Sequence, residues 1–262
     1  MSVSRLFVDA ELAAGLEAPL EEAQVHYLRH VMRRPDGAPL RLFNGRDGEW
    51  QATFAGRGKK AAVAEVSVQS RAQAAEPDVW LCFAPVKRAR IDYIAEKATE
   101  LGAAVLQPVL TRHTAVERVN VKRLRANAIE AAEQTERLSV PEVREPVDFM
   151  RLLAQWPEGR RLLMCDETGG GPPIAETLAG LDAVARTAPW AVLVGPEGGF
   201  AAEELTALRR IKDVMAVGLG PRILRADTAA LAALACWQAL VGDWRQPTPR
   251  LHADYRTSKV TV

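Results

Sequence analysis

Cysteine is scarce: Cys82, Cys165 and Cys236 are the only three in 262 residues, widely spaced and with no C-x-x-C pair. That excludes a disulfide framework and offers no zinc spacing, so no metal is expected and a reducing, cytoplasmic setting fits. Long apolar runs are also missing. None reaches the ~18 residues of a membrane span, and the opening MSVSRLFVDAEL carries acids where a secretory signal needs an unbroken apolar stretch. Neither export nor insertion into a membrane is expected. Charge of one sign is not in excess, since 34 Lys and Arg against 33 Asp and Glu leave +1. A global basic field for gathering phosphates is therefore excluded, though a local basic face is not. The remainder, 48% hydrophobic and 26% charged, is an ordinary globular composition, long enough for one large domain or two modest ones.

The early chain reads as short β-rich pieces, at 5–8, 40–43, 49–54 and 61–68. Between the second and third lies Asn44-Gly45-Arg46-Asp47-Gly48, whose Asn-Gly and Asp-Gly steps favour positive φ and hence a hairpin turn. Residues 21–32 place Val25, Leu28 and Met32 at helical spacing. A small β-barrel with one inserted helix is expected. The polar, proline-containing stretch 70–78 reads as a linker, and beyond it apolar strands alternate with amphipathic helices, the pattern of a largely parallel α/β sheet. Strands are expected at 79–84, 105–109, 162–165, 191–194 and 214–217, and helices at 91–101, 121–137, 175–181, 203–212 and 226–241. The division is 1–72, 73–250 and a tail at 251–262.

Two loops are the candidates for carrying chemistry. In Leu193-Val194-Gly195-Pro196-Glu197-Gly198-Gly199-Phe200 a buried strand ends in a glycine-rich turn, which lets backbone N–H groups approach a ligand at the carboxyl end of a strand. After the next strand, Leu219-Gly220-Pro221-Arg222-Ile223-Leu224-Arg225-Ala226-Asp227-Thr228 offers backbone donors, two cations and helix-capping groups together. Each loop also reads as a plain strand-to-helix connection. No G-x-G-x-x-G turn follows the first strand of the α/β region, which argues against a Rossmann-type methyltransferase or an NAD enzyme. His26 and His30 have i,i+4 spacing, but without H-E-x-x-H they are not read as metal ligands. His113 reads either as an RNA contact or as a loop group.

GPEGGF at 195–200 followed by LGPRILRADTAALAAL at 219–234 resembles the C-terminal signature of the ribosomal small-subunit RNA uridine-N3 methyltransferases. Further pieces match that family in order: HYLRHVMR at 26–33, LFNGRDGEWQA at 42–52, KRARIDYIAEKATELGA at 87–103, RHTAVER at 112–118 and AIEAAEQTERLSVPEV at 128–143. The likeness spans nearly the whole chain apart from its end. One departure stands out: the family commonly has Glu where this chain has Asp227, which puts in doubt any role needing the longer side chain.

The resemblance implies an α/β fold with a C-terminal SPOUT-type, trefoil-knotted methyltransferase domain and a smaller N-terminal PUA-like β-barrel. It implies S-adenosylmethionine as cofactor, held by Leu193, Gly195, Pro196, Glu197, Gly198 and Gly199 and by Leu219, Gly220, Pro221, Ile223, Leu224 and Arg225. The partners implied are 16S ribosomal RNA, within the 30S subunit, and a second copy of the chain. The dimer rests on the resemblance, since by sequence alone the apolar helix with Leu231, Leu234, Trp237 and Leu240 reads rather as ordinary core. Arg225 and Arg222 are the candidates for a cation beside the uracil oxygens, one of them alternatively holding phosphate, and Glu197 reads as a base or as a loop anchor. Arg5, Arg33, Lys87, Arg88, Arg90, Arg112, Gln134 and Arg137 are candidate RNA contacts. Two other readings stay open: a SPOUT ribose 2'-O-methyltransferase and a non-catalytic RNA-binding assembly factor.

Overall fold

The computed structural model describes residues 3–58, 61–116 and 118–246. The tail expected at 251–262 lies outside the described residues, as does the side chain of Arg88.

Five strands build the N-terminal sheet: β1 (Ser4–Phe7), β2 (Glu17–Pro19), β3 (Pro39–Phe43), β4 (Glu49–Gly56) and β5 (Ala62–Arg71). Their spatial order is β1-β3-β4-β5-β2, with β1 parallel to β3 and the other pairs antiparallel. Alternation along the strands turns Leu6, Leu40, Leu42, Ala52, Phe54, Ala64 and Val66 into one core. In the β3–β4 turn a Cβ on Gly48, at φ +79, would stand 2.2 Å from the Arg71 carbonyl oxygen, so glycine is required there. The helix expected over 21–32 is split. Helix α1 (Glu22–His26) gives way to a π-helical turn over Tyr27–Val31, closed by Met32 N–H donating to Tyr27 O at 2.9 Å.

The second sheet takes β6 (Val79–Phe83), β7 (Val105–Leu110), β8 (Glu142–Val143), β9 (Val147–Asp148), β10 (Arg161–Cys165), β11 (Trp190–Val194) and β12 (Val214–Val217). Every pair is parallel, in the order β12-β10-β11-β6-β7-β8, with β9 also on β7. The helices are α2 (Arg88–Glu100), α3 (Val121–Gln134), α4 (Phe149–Ala154), α5 (Ile174–Ala179), α6 (Ala183–Thr187), α7 (Ala202–Leu208) and α8 (Ala226–Leu240). Because strand side chains alternate, Val192 and Val194 join Ile94, Ala98, Leu234 and Trp237 on one face. Ala191 and Leu193 join Phe149, Leu153 and Leu208 on the other. Both faces are covered, and every strand's carboxyl end points to the same side.

The junction between the sheets explains two residues that the sequence offers as RNA contacts. The Arg5 guanidinium is only 7% exposed; its Nε donates to Glu49 Oε2 at 2.7 Å, its Nη1 donates to Ala132 O at 2.7 Å, and it also donates to Arg137 O. Arg71 Nη1 donates to Glu136 O at 2.8 Å, so two N-terminal arginines satisfy carbonyls at the α3 C-terminus. Arg137 pairs with Glu76 and donates to Thr99 O at 2.6 Å and Ala103 O at 3.1 Å. Arg5 and Arg137 thus face inward as clasps and present no cation to RNA.

Candidate active site

The loops after β6, β7, β10, β11 and β12 meet beyond the carboxyl edge of the second sheet, where open α/β sheets bind ligands. Val194 delivers the chain into Gly195 and Pro196, both buried, and Gly199 N–H donates back to Pro196 O at 3.0 Å. Glycine is forced at 199: φ is +70, and a Cβ would sit 2.1 Å from Glu167 Oε1. At Gly198 a Cβ would lie 3.1 Å from the His113 Cβ, and His113 Nδ1 is 3.0 Å from Gly199 O. The β7 loop therefore lies directly against the glycine turn.

Two carboxylates lock this loop cluster. Glu204, buried in α7, accepts Ala201 N–H at 2.8 Å with one oxygen and Arg112 N–H at 2.8 Å with the other. Glu167, at the end of β10, accepts the Phe200 N–H; burial pushes its carboxyl up, against that hydrogen bond. Neither acid is among the residues singled out from sequence. An acid placed between a buried strand and the Thr168–Gly171 turn is the signal that marks Glu167, while Glu204 lacks a Ser or Thr cap partner that would advertise it.

The β12 loop enters beside the β10 loop. Gly218 N–H donates to Pro172 O at 2.8 Å, and a Cβ on Gly171 would stand 2.7 Å from the Val217 backbone. Leu219 and Leu224 pack on the core, whereas Arg222 and Arg225 are exposed and among the described residues make no side-chain hydrogen bond or ion pair. Ile223, read as a cofactor contact, is 96% exposed: nothing packs on it between the left-handed Gly220, φ +96, and the helix start at Arg225.

Arg90 sits between the two signature loops, 3.8 Å from Glu197 and 3.8 Å from Asp227. This gives Glu197 a loop-anchoring partner and spends the Arg90 charge inside the site. Lys87 precedes α2 and is exposed, as are Arg112 and Gln134, whose Nε2 donates to Glu130 Oε1 at 3.1 Å. Arg33 is exposed on the N-terminal sheet side with φ +52, just past the π-turn. The sequence-derived residues therefore divide into a loop cluster at 90, 193–199 and 219–227 and a scattered cationic surface, with Arg5 and Arg137 in neither.

A parallel sheet whose glycine loops gather late in the chain, joined to a small β-sheet domain, is the layout of a SPOUT-class RNA methyltransferase. Residues 74–238 match the model of an RNA methyltransferase domain and 20–67 that of an RNA methyltransferase PUA domain. A ribosomal RNA small subunit methyltransferase E from Rickettsia conorii is 30% identical over 236 residues, 90% of this chain and 95% of that one. Its counterpart from Synechocystis is 32% identical over 240 residues, covering 90% and 78%. The crystal structure of a Neisseria gonorrhoeae ribosomal RNA small subunit methyltransferase E bound to S-adenosyl methionine superposes with TM-score 0.82 at 26% identity, covering 93% of this chain and 100% of that one. The chain belongs to the ribosomal RNA small subunit methyltransferase E family.

Proposed function

We propose that this protein methylates N3 of a uridine in 16S ribosomal RNA, using S-adenosylmethionine. The observation that carries the reading is the meeting of the 195–200 and 219–227 loops around Arg90, with Arg222 and Arg225 left free beside them. The residues fit the cofactor. A Cβ on Gly199 would run into Glu167 from left-handed backbone and one on Gly198 would press on His113, while Gly220 has open space where a Cβ would stand, so backbone rather than side chains borders the space between the loops. Leu193, Gly195 to Gly199, Leu219 to Pro221 and Leu224 would hold it, and its sulfonium supplies an electrophilic methyl group.

The chain's own part is positioning and charge. Uracil N3 carries a proton on the pairing edge, so the base must be unpaired when it enters. Arg225, nearer the start of α8, stabilises the imide anion left when that proton departs, and Arg222 takes the adjoining phosphate. Glu197, restrained by Arg90, orients the loop and is the carboxylate of the glycine turn that could accept the proton. Lys87, Arg112 and Arg33 supply dispersed phosphate contacts, consistent with a chain of net charge +1.

The reading extends to a homodimer acting in the cytoplasm on an assembled 30S surface. Supporting the dimer is the fully solvent-facing Ile223 in a loop bordering the site. Among the described residues no helix is long and apolar enough to cross a membrane. The reading includes a knotted path, with the β12 loop held tightly against the β10 loop, Gly218 N–H donating to Pro172 O at 2.8 Å, before α8 packs on β11, β6 and α5. The test is transfer of labelled methyl to purified 30S particles beside naked 16S RNA, with sedimentation of the protein in parallel. Label in RNA supports the reading, preference for 30S supports the assembled substrate, and cofactor binding without transfer removes it.

A further inference from the structure

A cavity of about 900 Å³ lies between the two domains, away from the methyl-transfer loops. Its walls are β1, the α1 helix with its π-turn, and one face of α3. On α3, Arg125, Ile129 and Glu133 recur every fourth residue, so one stripe of the helix faces the space. The floor is apolar, with Phe7 and Ile129, and the size falls in the ~300–1,000 Å³ range of ligand pockets.

Three independent features show that this space is built rather than left over. First, β1 is an edge strand, and its outward Phe7 groups are met by side chains instead of another strand: Phe7 N–H donates to Glu133 Oε1 at 2.9 Å and Phe7 O accepts Gln24 Nε2–H at 2.7 Å. Second, the Ser4 residue also borders the cavity, and its hydroxyl is buried with no partner. Third, the π-turn begins at Tyr27, whose ring is exposed at the cavity, and ends next to Arg33 in left-handed backbone. Such turns re-aim side chains and cluster at functional places.

The polar groups have spare capacity. Glu133 Oε2 and Gln134 Oε1 carry no hydrogen bond among the described residues, and Arg125 is held only loosely, 3.7 Å from Asp9, at an exposed rim. Burial pushes the Glu133 carboxyl up to about 7, so near neutrality it offers both a donor and an acceptor beside an amide. An amide and a carboxyl side by side complement the edge of a nucleobase, an exposed tyrosine complements its face, and an arginine complements its phosphate.

We propose that this interdomain cavity binds one unpaired nucleotide of the RNA, distinct from the one methylated, with its base stacked on Tyr27, its edge read by Gln134 and Glu133, and its phosphate on Arg125. This rests on the reading that the substrate is RNA and adds a second point of sequence reading to it.

The test is anisotropy of short, fluorescently labelled homopolymeric single-stranded RNAs with the full chain. Tyr27→Ala weakens binding about 5–100-fold, Tyr27→Phe stays near wild type, and Gln134→Ala changes the ranking of the four homopolymers. Cofactor affinity and thermal midpoint stay as in the wild type, which separates a lost contact from a lost fold. Wild-type binding by Tyr27→Ala, or by an Ile129→Trp variant that fills the floor, overturns the proposal. RNA binding is read without methyl transfer, so an inactive wild type that still shows the Tyr27 dependence sinks the enzymatic reading alone.

Discussion

Gly199 concentrates the local argument. Any side chain there must both occupy left-handed backbone and displace the Glu167 carboxylate that holds Phe200 N–H. Gly199→Ala is expected to lower stability by about 1–3 kcal/mol and to abolish saturable cofactor binding by calorimetry; near-wild-type affinity would show that the turn is not part of the pocket. Arg225 makes a different kind of claim. Its side chain has no partner of its own among the described residues, so Arg225→Ala should leave the thermal midpoint unchanged while turnover falls about 10²–10³-fold. Asp227 is joined to Arg90 at 3.8 Å and accepts Thr228 N–H at 3.0 Å, so the shorter acid still reaches both the helix start and the arginine. At Arg5 the cost is structural: Arg5→Ala leaves Glu49, 1% exposed, without its closest cation, although Arg41 and Arg71 stand 3.8 and 3.9 Å away. Denaturant unfolding should show a loss of about 3–5 kcal/mol.

At the scale of elements, α3 is where the two domains are joined and where pH enters. Glu133 is pushed from 4.5 to about 7 chiefly by burial. A carboxyl raised on folding favours the native state below its unfolded value and loses that contribution as pH rises through about 7. Glu133→Gln keeps an acceptor for Phe7, so its stability relative to wild type should rise between pH 5 and pH 8, by an amount on the order of 3 kcal/mol at most; a pH-independent difference would contradict the assignment. The elements themselves were legible where the hydrophobic period is long. The expected strands at 79–84 and 191–194 differ from β6 and β11 only at their ends, and Gly102, φ +82, does stop the first α/β helix. Short elements were not legible. Strand β2, the two-residue β8 and β9, and helices α4 and α6 are too brief for a period to register, although Asp148 and Asp182 cap α4 and α6 through Arg151 N–H and Ala185 N–H. The split of α1 into a π-turn has no signature in apolar spacing, since Val25 and Leu28 are buried on either side of it. The helix expected to reach 137 ends at Gln134, because Glu136 adopts φ +60 and its carbonyl is taken by Arg71.

For the whole molecule, a near-neutral chain acts on a polyanion by placing a few cations at defined points rather than by a general field. The glycine loops of the proposed site stand out in the sequence because close backbone approach leaves a compositional trace. The inward roles of Arg5 and Arg137 were not, because burial of a cation depends on carbonyls and acids contributed by distant segments such as Ala132, Glu49 and Glu76. The most direct test of the account is nucleoside analysis by mass spectrometry of 16S RNA recovered from 30S particles after reaction with S-adenosylmethionine. The account predicts 3-methyluridine, formed about 10²–10³-fold more slowly with Arg225→Ala. A ribose 2'-O-methylated nucleoside, or no methylated nucleoside from a cofactor-bound protein, would contradict it.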